Sequence, residues 1–189
     1  MNKMRSVFGS LIVAVALATS AQADAQSAPL AYMLQRDADI PGTTTKQQQD
    51  EVMRLMGAHL GIWLAPDRSR HPYEQLVTED VVFEYPYSDE PSLRRIEGRE
   101  AVAAALRGLP LEATDWTFSD LKLFETPHPD IFFVSYRAKA YVPATQRTYD
   151  QVFLARVTVR GGKIANYYEL WDREAKAVAF GTAAQKKPS

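Results

Sequence analysis

The sequence predicts an α+β protein: one curved antiparallel sheet with helices packed on its concave side. Two observations carry that reading. Apolar residues recur at three-and-four spacing in the first half of the chain, and after Pro110 the pattern changes to runs of β-branched and aromatic residues. The segments between those runs are turn chemistry of the hairpin kind, which favours antiparallel neighbours. With 189 residues and 46% hydrophobic content, the chain has enough material for one domain and too little for two.

The first 23 residues stand apart. Lys3 and Arg5 precede an apolar run, Val7 to Ala18, followed by small residues at Ala21 and Ala23. That is the pattern of a secretory signal peptide cleaved after Ala23 or Ala25. The apolar run stops well short of the ~20 residues needed to cross a bilayer, so the membrane is involved only before cleavage, and the mature protein is expected to be periplasmic or secreted. Residues 24–45 are small, polar and broken by Pro29, Pro41 and Gly42, and read as an extended lead-in. Residues 182–189 form a polar tail, leaving 46–181 as the folded domain.

Within that domain a first helix is expected to start at Thr44 or Thr45, each followed three residues later by glutamine, and to end at Pro66. Val52, Leu55, Met56, His59, Ile62 and Trp63 form its buried stripe. A short second helix is predicted over "HPYEQLV", a strand over "DVVFEYPY", and a third helix over "GREAVAAALRGL", closed by Gly108. Four strands then follow as a meander: "WTFSDLKLF", "IFFVSYRAKAYV", "RTYDQVFLARVTV" and "KIANYYELW". A curved sheet covered by helices encloses a pocket between the layers.

Composition excludes several function classes. Without cysteine there is no disulfide and no thiolate chemistry, and loss of Lys3 and Arg5 with the leader moves the formal charge from −1 to −3 with no basic stripe, against a nucleic-acid partner. Three histidines, none paired at ligand spacing, leave no basis for a metal site. There is no nucleophile elbow and no glycine-rich phosphate loop; "RGGK" joins two strands and reads as a hairpin turn, and no cofactor is expected.

The most informative residue is Glu169, a carboxylate between Tyr167 and Trp171 on one face of the last strand. In the neighbouring strand Tyr149, Phe153, Ala155, Val157 and Val159 share the apolar, inward face, whereas both faces of the last strand carry large side chains. If Glu169 faces inward, loss of water among aromatic rings raises its pKa toward the range where it can shuttle protons. The alternative is a structural ion pair with Arg137 or Arg147. His59 lies on the apolar stripe, and Glu84 alternates against Phe83 and Tyr85, facing a salt-bridge partner instead of the pocket.

Three pieces of sequence carry a family resemblance: "EDVVFEYPY" followed by "RRIEGREAV", then "TYDQVFLARVTVRGGKI", then "YYELWD". In this order they resemble the SnoaL-like group of the nuclear transport factor 2-like superfamily. The resemblance implies a cone-shaped sheet, a homodimer, and a ligand pocket at the open end. Its relatives include polyketide cyclases, ketosteroid isomerase and the phenazine-biosynthesis A/B proteins, along with members that have no chemistry. It implies an inward Glu169, at the place where several relatives hold an acid or base. The helix after "EGRE" lacks the histidine of the phenazine proteins, and Tyr85 stands where ketosteroid isomerase has its aspartate base. On this basis Glu169 is the candidate proton carrier, and His59, Trp63, Tyr85, Tyr87, Gln151, Phe153, Tyr167 and Trp171 are the candidate ligand contacts. The expected function is binding of a small apolar organic molecule, with cofactor-free isomerisation, cyclisation or dehydration as the chemistry such a site would support. The alternative is a non-catalytic binding protein or dimeric scaffold.

Overall fold

The computed structural model describes residues 32–35, 44–109 and 112–181. The leader and the polar tail lie outside the described residues.

Among the described residues, three α-helices and a seven-stranded mixed sheet make up the fold. The strands are β1 (Tyr32–Gln35), β2 (Val77–Glu84), β3 (Arg95–Glu97), β4 (Thr114–Glu125), β5 (Ile131–Val142), β6 (Arg147–Arg160) and β7 (Lys163–Leu170), in the spatial order β1-β4-β5-β6-β7-β2-β3. The helices are α1 (Lys46–Leu64), α2 (Arg99–Gly108) and α3 (Arg173–Phe180). The expected meander, β4 to β7, is present and antiparallel throughout.

Four features correct the sequence-based outline. The sheet is mixed, because β2 pairs in parallel with β7 and β1 with β4. The lead-in contributes β1 to the sheet. The segment expected as a second helix, His71–Val77, forms one 3-10 turn, Tyr73–Gln75, preceded by another at Arg68–Arg70. After β7 the chain enters α3, whose N-cap Asp172 accepts hydrogen bonds from the backbone N–H groups of Glu174 and Ala175.

Helix α1 begins as its sequence dictates. The Thr45 hydroxyl accepts from the Gln48 N–H, and the Gln48 side chain accepts from the Thr45 N–H at 2.8 Å, a reciprocal capping box. Its buried face, including Val52, Leu55, Met56, Leu60 and Ile62, shares one core with Leu123, Phe132, Val134, Ala155 and Val157 of the sheet. Apart from the smaller Ala155, each of these fully buried side chains contributes roughly 1.5–3 kcal/mol relative to exposure.

The sheet is curved by bulges. Strand β4 shifts register against β5 twice, near Asp115 and Asp120, and both aspartates take left-handed backbone angles with φ of 55° and 53°. The second shift changes which side chains point inward, from Trp116 and Phe118 to Leu121 and Leu123. Strand β7 leaves the Gly161–Gly162 turn, where both residues have positive φ, and carries one extra residue at Ala165 between the Ile164 and Asn166 pairings. Beyond that bulge Tyr167 and Glu169 face the concave side.

Candidate active site

Strands β4 to β7 and helices α1, α2 and α3 enclose a cavity of about 560 Å³. Its walls are mostly rings and alkyl groups: Trp63 from α1, Trp116 and Phe118 from β4, Tyr136 and Ala138 from β5, Tyr149 and Phe153 from β6, and Leu106 from α2. The rings of Tyr136 and Phe153 stack with centroids 5.1 Å apart. Charged residues gather where the cavity meets solvent. There Asp89 is held by Arg173 at 2.8 Å and by Lys176 at 3.3 Å, which ties α3 to the loop after β2.

Glu169 is 8% exposed and lines this cavity. Its Oε1 accepts hydrogen bonds from the Tyr136 hydroxyl and, at 2.6 Å, from the Tyr167 hydroxyl. Neither hydroxyl bonds Oε2, and among the described residues no arginine or lysine pairs with the carboxyl. The two cations weighed as structural partners are committed elsewhere: Arg137 bonds Asp150 on the opposite face, and Arg147 donates to the Val178 carbonyl. Burial therefore raises the Glu169 carboxyl above its ordinary value, and the two hydroxyl donors offset only part of that rise. Burial and the charge of Glu169 push the Tyr136 and Tyr167 hydroxyls well up, so both remain protonated donors.

His59, from the middle of α1, also borders the cavity. It is 3% exposed, its Nδ1 is hydrogen-bonded to the hydroxyl of fully buried Tyr73, and its ring lies 4.5 Å, centroid to centroid, from that of Tyr167. Burial, with a smaller contribution from His71, lowers its pKa to about 3, so the imidazole is neutral across the physiological range.

The candidate residues sort by position. Glu169, His59, Trp63, Tyr85, Phe153 and Trp171 line the cavity. Three others do not, and the expected lining is corrected at each. Tyr87 lies beyond the end of β2 in a turn and is 45% exposed. The Gln151 side chain is spent inside the fold: its amide N–H donates to the Tyr149 hydroxyl and its carbonyl accepts the Asp172 N–H at 2.9 Å, joining β6 to the start of α3. Tyr167 is fully buried behind the wall and acts as a donor to Glu169. Glu84 lies on the convex side beside Arg95.

Sequence reasoning missed Tyr136, Trp116 and Phe118. The alternation of β5, with Phe132, Val134, Tyr136, Ala138 and Ala140 buried, was a usable signal for the first. The bulges of β4 broke the parity that would have revealed the others. Among the described residues no group of three or more His, Asp or Glu side chains is placed to hold a metal ion.

A curved sheet wrapped over helices around an apolar pocket is a fold that this chain shares with NTF2-like proteins among the solved structures. Solved structures with this fold include a provisionally named isomerase from Bacillus subtilis, 21% identical with a TM-score of 0.62, covering 72% of this chain and 96% of that one. An NTF2-like protein from Burkholderia xenovorans is 20% identical with a TM-score of 0.53, covering 74% of this chain and 99% of its own. An uncharacterized PhzA/B-like protein of Pseudomonas aeruginosa is 28% identical over 107 residues, 56% of this chain and 75% of that protein. Residues 68–167 match the SnoaL-like domain, and the chain belongs to that family.

Proposed function

We propose that this protein is an exported SnoaL-like protein that binds a small, largely apolar organic molecule and catalyses a cofactor-free proton transfer on it, an isomerisation, cyclisation or dehydration. The observation that carries the reading is the state of Glu169: a carboxyl with raised proton affinity, held at one oxygen by two hydroxyls, paired with no cation among the described residues, on the wall of a cavity large enough for a ligand. A carboxyl so placed takes a proton from one position of a bound ligand and returns it at another without rebuilding the site. The name isomerase attached to a structural relative is consistent with such chemistry.

The ligand is identified first, by mass spectrometry of small molecules that co-purify with the mature protein, and turnover is then followed by NMR. Replacing Glu169 with Gln preserves shape and the hydroxyl contacts but removes the exchangeable carboxyl proton. The expected result is a fall in kcat of about 10²- to 10⁴-fold with little change in ligand affinity. Unchanged turnover would eliminate Glu169 as the proton carrier. A ligand that binds and is never converted would leave the non-catalytic binding reading in its place.

A further inference from the structure

The pair formed by His59 and Tyr73 carries a consequence for what the cavity can bind. Tyr73 is fully buried, and among the described residues its hydroxyl has one polar partner, His59 Nδ1. That contact can be made in two ways. If Nδ1 carried the proton and donated it, the hydroxyl hydrogen of Tyr73 would be buried with no acceptor. If Tyr73 donates to Nδ1, that hydrogen is satisfied, and the tyrosine oxygen is left only with unused acceptor capacity. A neutral imidazole carries one N–H, so the second arrangement places it on Nε2.

The ring edge bearing Nε2 is the one turned away from Tyr73. Tyr73 does not line the cavity and His59 does, and Nε2 has no hydrogen-bond partner among the described residues. The geometry points to His59 as a fixed, neutral Nε2–H donor to a ligand's acceptor oxygen, with Tyr73 as the positioning residue that sets its tautomer.

The inference deepens the proposed function and rests on it for the location of the ligand. It also narrows the ligand class. The cavity would present an acid-base group, Glu169, and a neutral donor, His59, with Tyr167 between them. Tyr167 touches the imidazole ring with its own ring and the carboxyl with its hydroxyl. The complementary ligand has an apolar body, a carbonyl-type oxygen directed at His59, and an exchangeable hydrogen directed at Glu169. A donor that is neutral before the ligand arrives needs no counter-charge in an apolar wall, and it strengthens as negative charge grows on the oxygen it contacts.

Nitrogen-15 NMR of histidine-labelled full-length protein tests the tautomer directly. The expected spectrum has the His59 proton on Nε2; a proton on Nδ1 in the wild type overturns the inference. Tyr73→Phe should shift the population toward Nδ1–H, an effect that loss of packing alone would not produce, and His59→Gln should retain a donor toward the cavity.

The ligand side is probed with 2-acetylnaphthalene and 2-ethylnaphthalene, which match in shape and differ in the carbonyl. The ketone should bind several-fold to about tenfold more tightly and displace the Nε2 resonance, and His59→Phe should abolish the preference. Equal affinity, or no binding of either compound, overturns the ligand assignment. Glu169→Gln should leave both tautomer and preference intact, so failure of the proton-transfer reading and failure of this one give different results.

Discussion

At the scale of single residues, the site depends on groups that are buried and satisfied in one protonation state. His59 shows this most sharply, because its imidazole titrates near 3 in the fold against an ordinary 6.5. A depressed folded value means that the unfolded chain binds the proton first. The contribution of His59 to stability is complete above pH 6.5 and is lost as pH falls toward 3, amounting to ~3–5 kcal/mol over the full span. Urea denaturation from pH 7 to pH 3.5 should show wild-type stability falling across this window, and His59→Gln should flatten the fall. Identical slopes in the two proteins would contradict the burial account. Much of this was readable beforehand: His59 on an apolar helical stripe, Glu169 between aromatic residues. The role of Gln151 was not, because a polar residue on an inward strand face reads the same whether it meets a ligand or, as here, the Tyr149 hydroxyl and the Asp172 N–H.

At the scale of elements, one residue decides where Glu169 points. Counting outward from the Gly161–Gly162 turn by strict alternation, Ile164 faces inward and Asn166, Tyr168 and Leu170 would follow it, leaving Glu169 on the convex side. The extra residue at Ala165 shifts the parity, so that Val157 pairs with Tyr167 and Ala155 with Glu169. This is why both faces of the last strand looked plausible in the sequence and why family resemblance, not periodicity, chose between them. Deleting Ala165 should close the bulge while keeping the pairings of Thr158 with Asn166 and of Val157 with Tyr167, so that Tyr167 and Glu169 stay on the concave side. The expected outcome is a folded variant with a cooperative thermal transition and Glu169 still buried; a collapse of that transition would refute this account of the bulge. Other elements differed in legibility for equally physical reasons. The capping box of α1 is local and was readable. The parallel pairing of β2 with β7 joins segments far apart in sequence and leaves no local trace. Helix α3 is short, and its signals, Asp172 at the start and Gly181 after the end, were present but unused.

At the scale of the whole molecule, helices and cavity occupy the concave side of the sheet, and among the described residues the convex side stays exposed along β5 and β6. Along β5 and β6 that outer face exposes Phe133, Tyr141, Val152 and Leu154, with Val152 59% and Leu154 40% accessible. No register shift interrupts the twelve β5–β6 pairings, so Phe133, Leu154 and Val152 fall in three successive outward rows and form a strip, with Tyr141 beyond the Lys139–Asp150 row. Charged groups on the same face are already paired in part, Arg137 and Lys139 sharing Asp150, which lowers the cost of covering them. We propose that a second copy of the chain covers this strip: two curved sheets can meet back to back while both cavities stay open to solvent. Sedimentation equilibrium of the mature protein at micromolar concentration should therefore give twice the monomer mass. Replacing Val152 and Leu154 together with glutamate should give a folded monomer, since both side chains are outside the core and two new carboxylates from each copy would face one another across the interface. A wild-type protein that sediments as a monomer would show that the strip is not covered in this way. A variant that remains dimeric would place the interface on another surface.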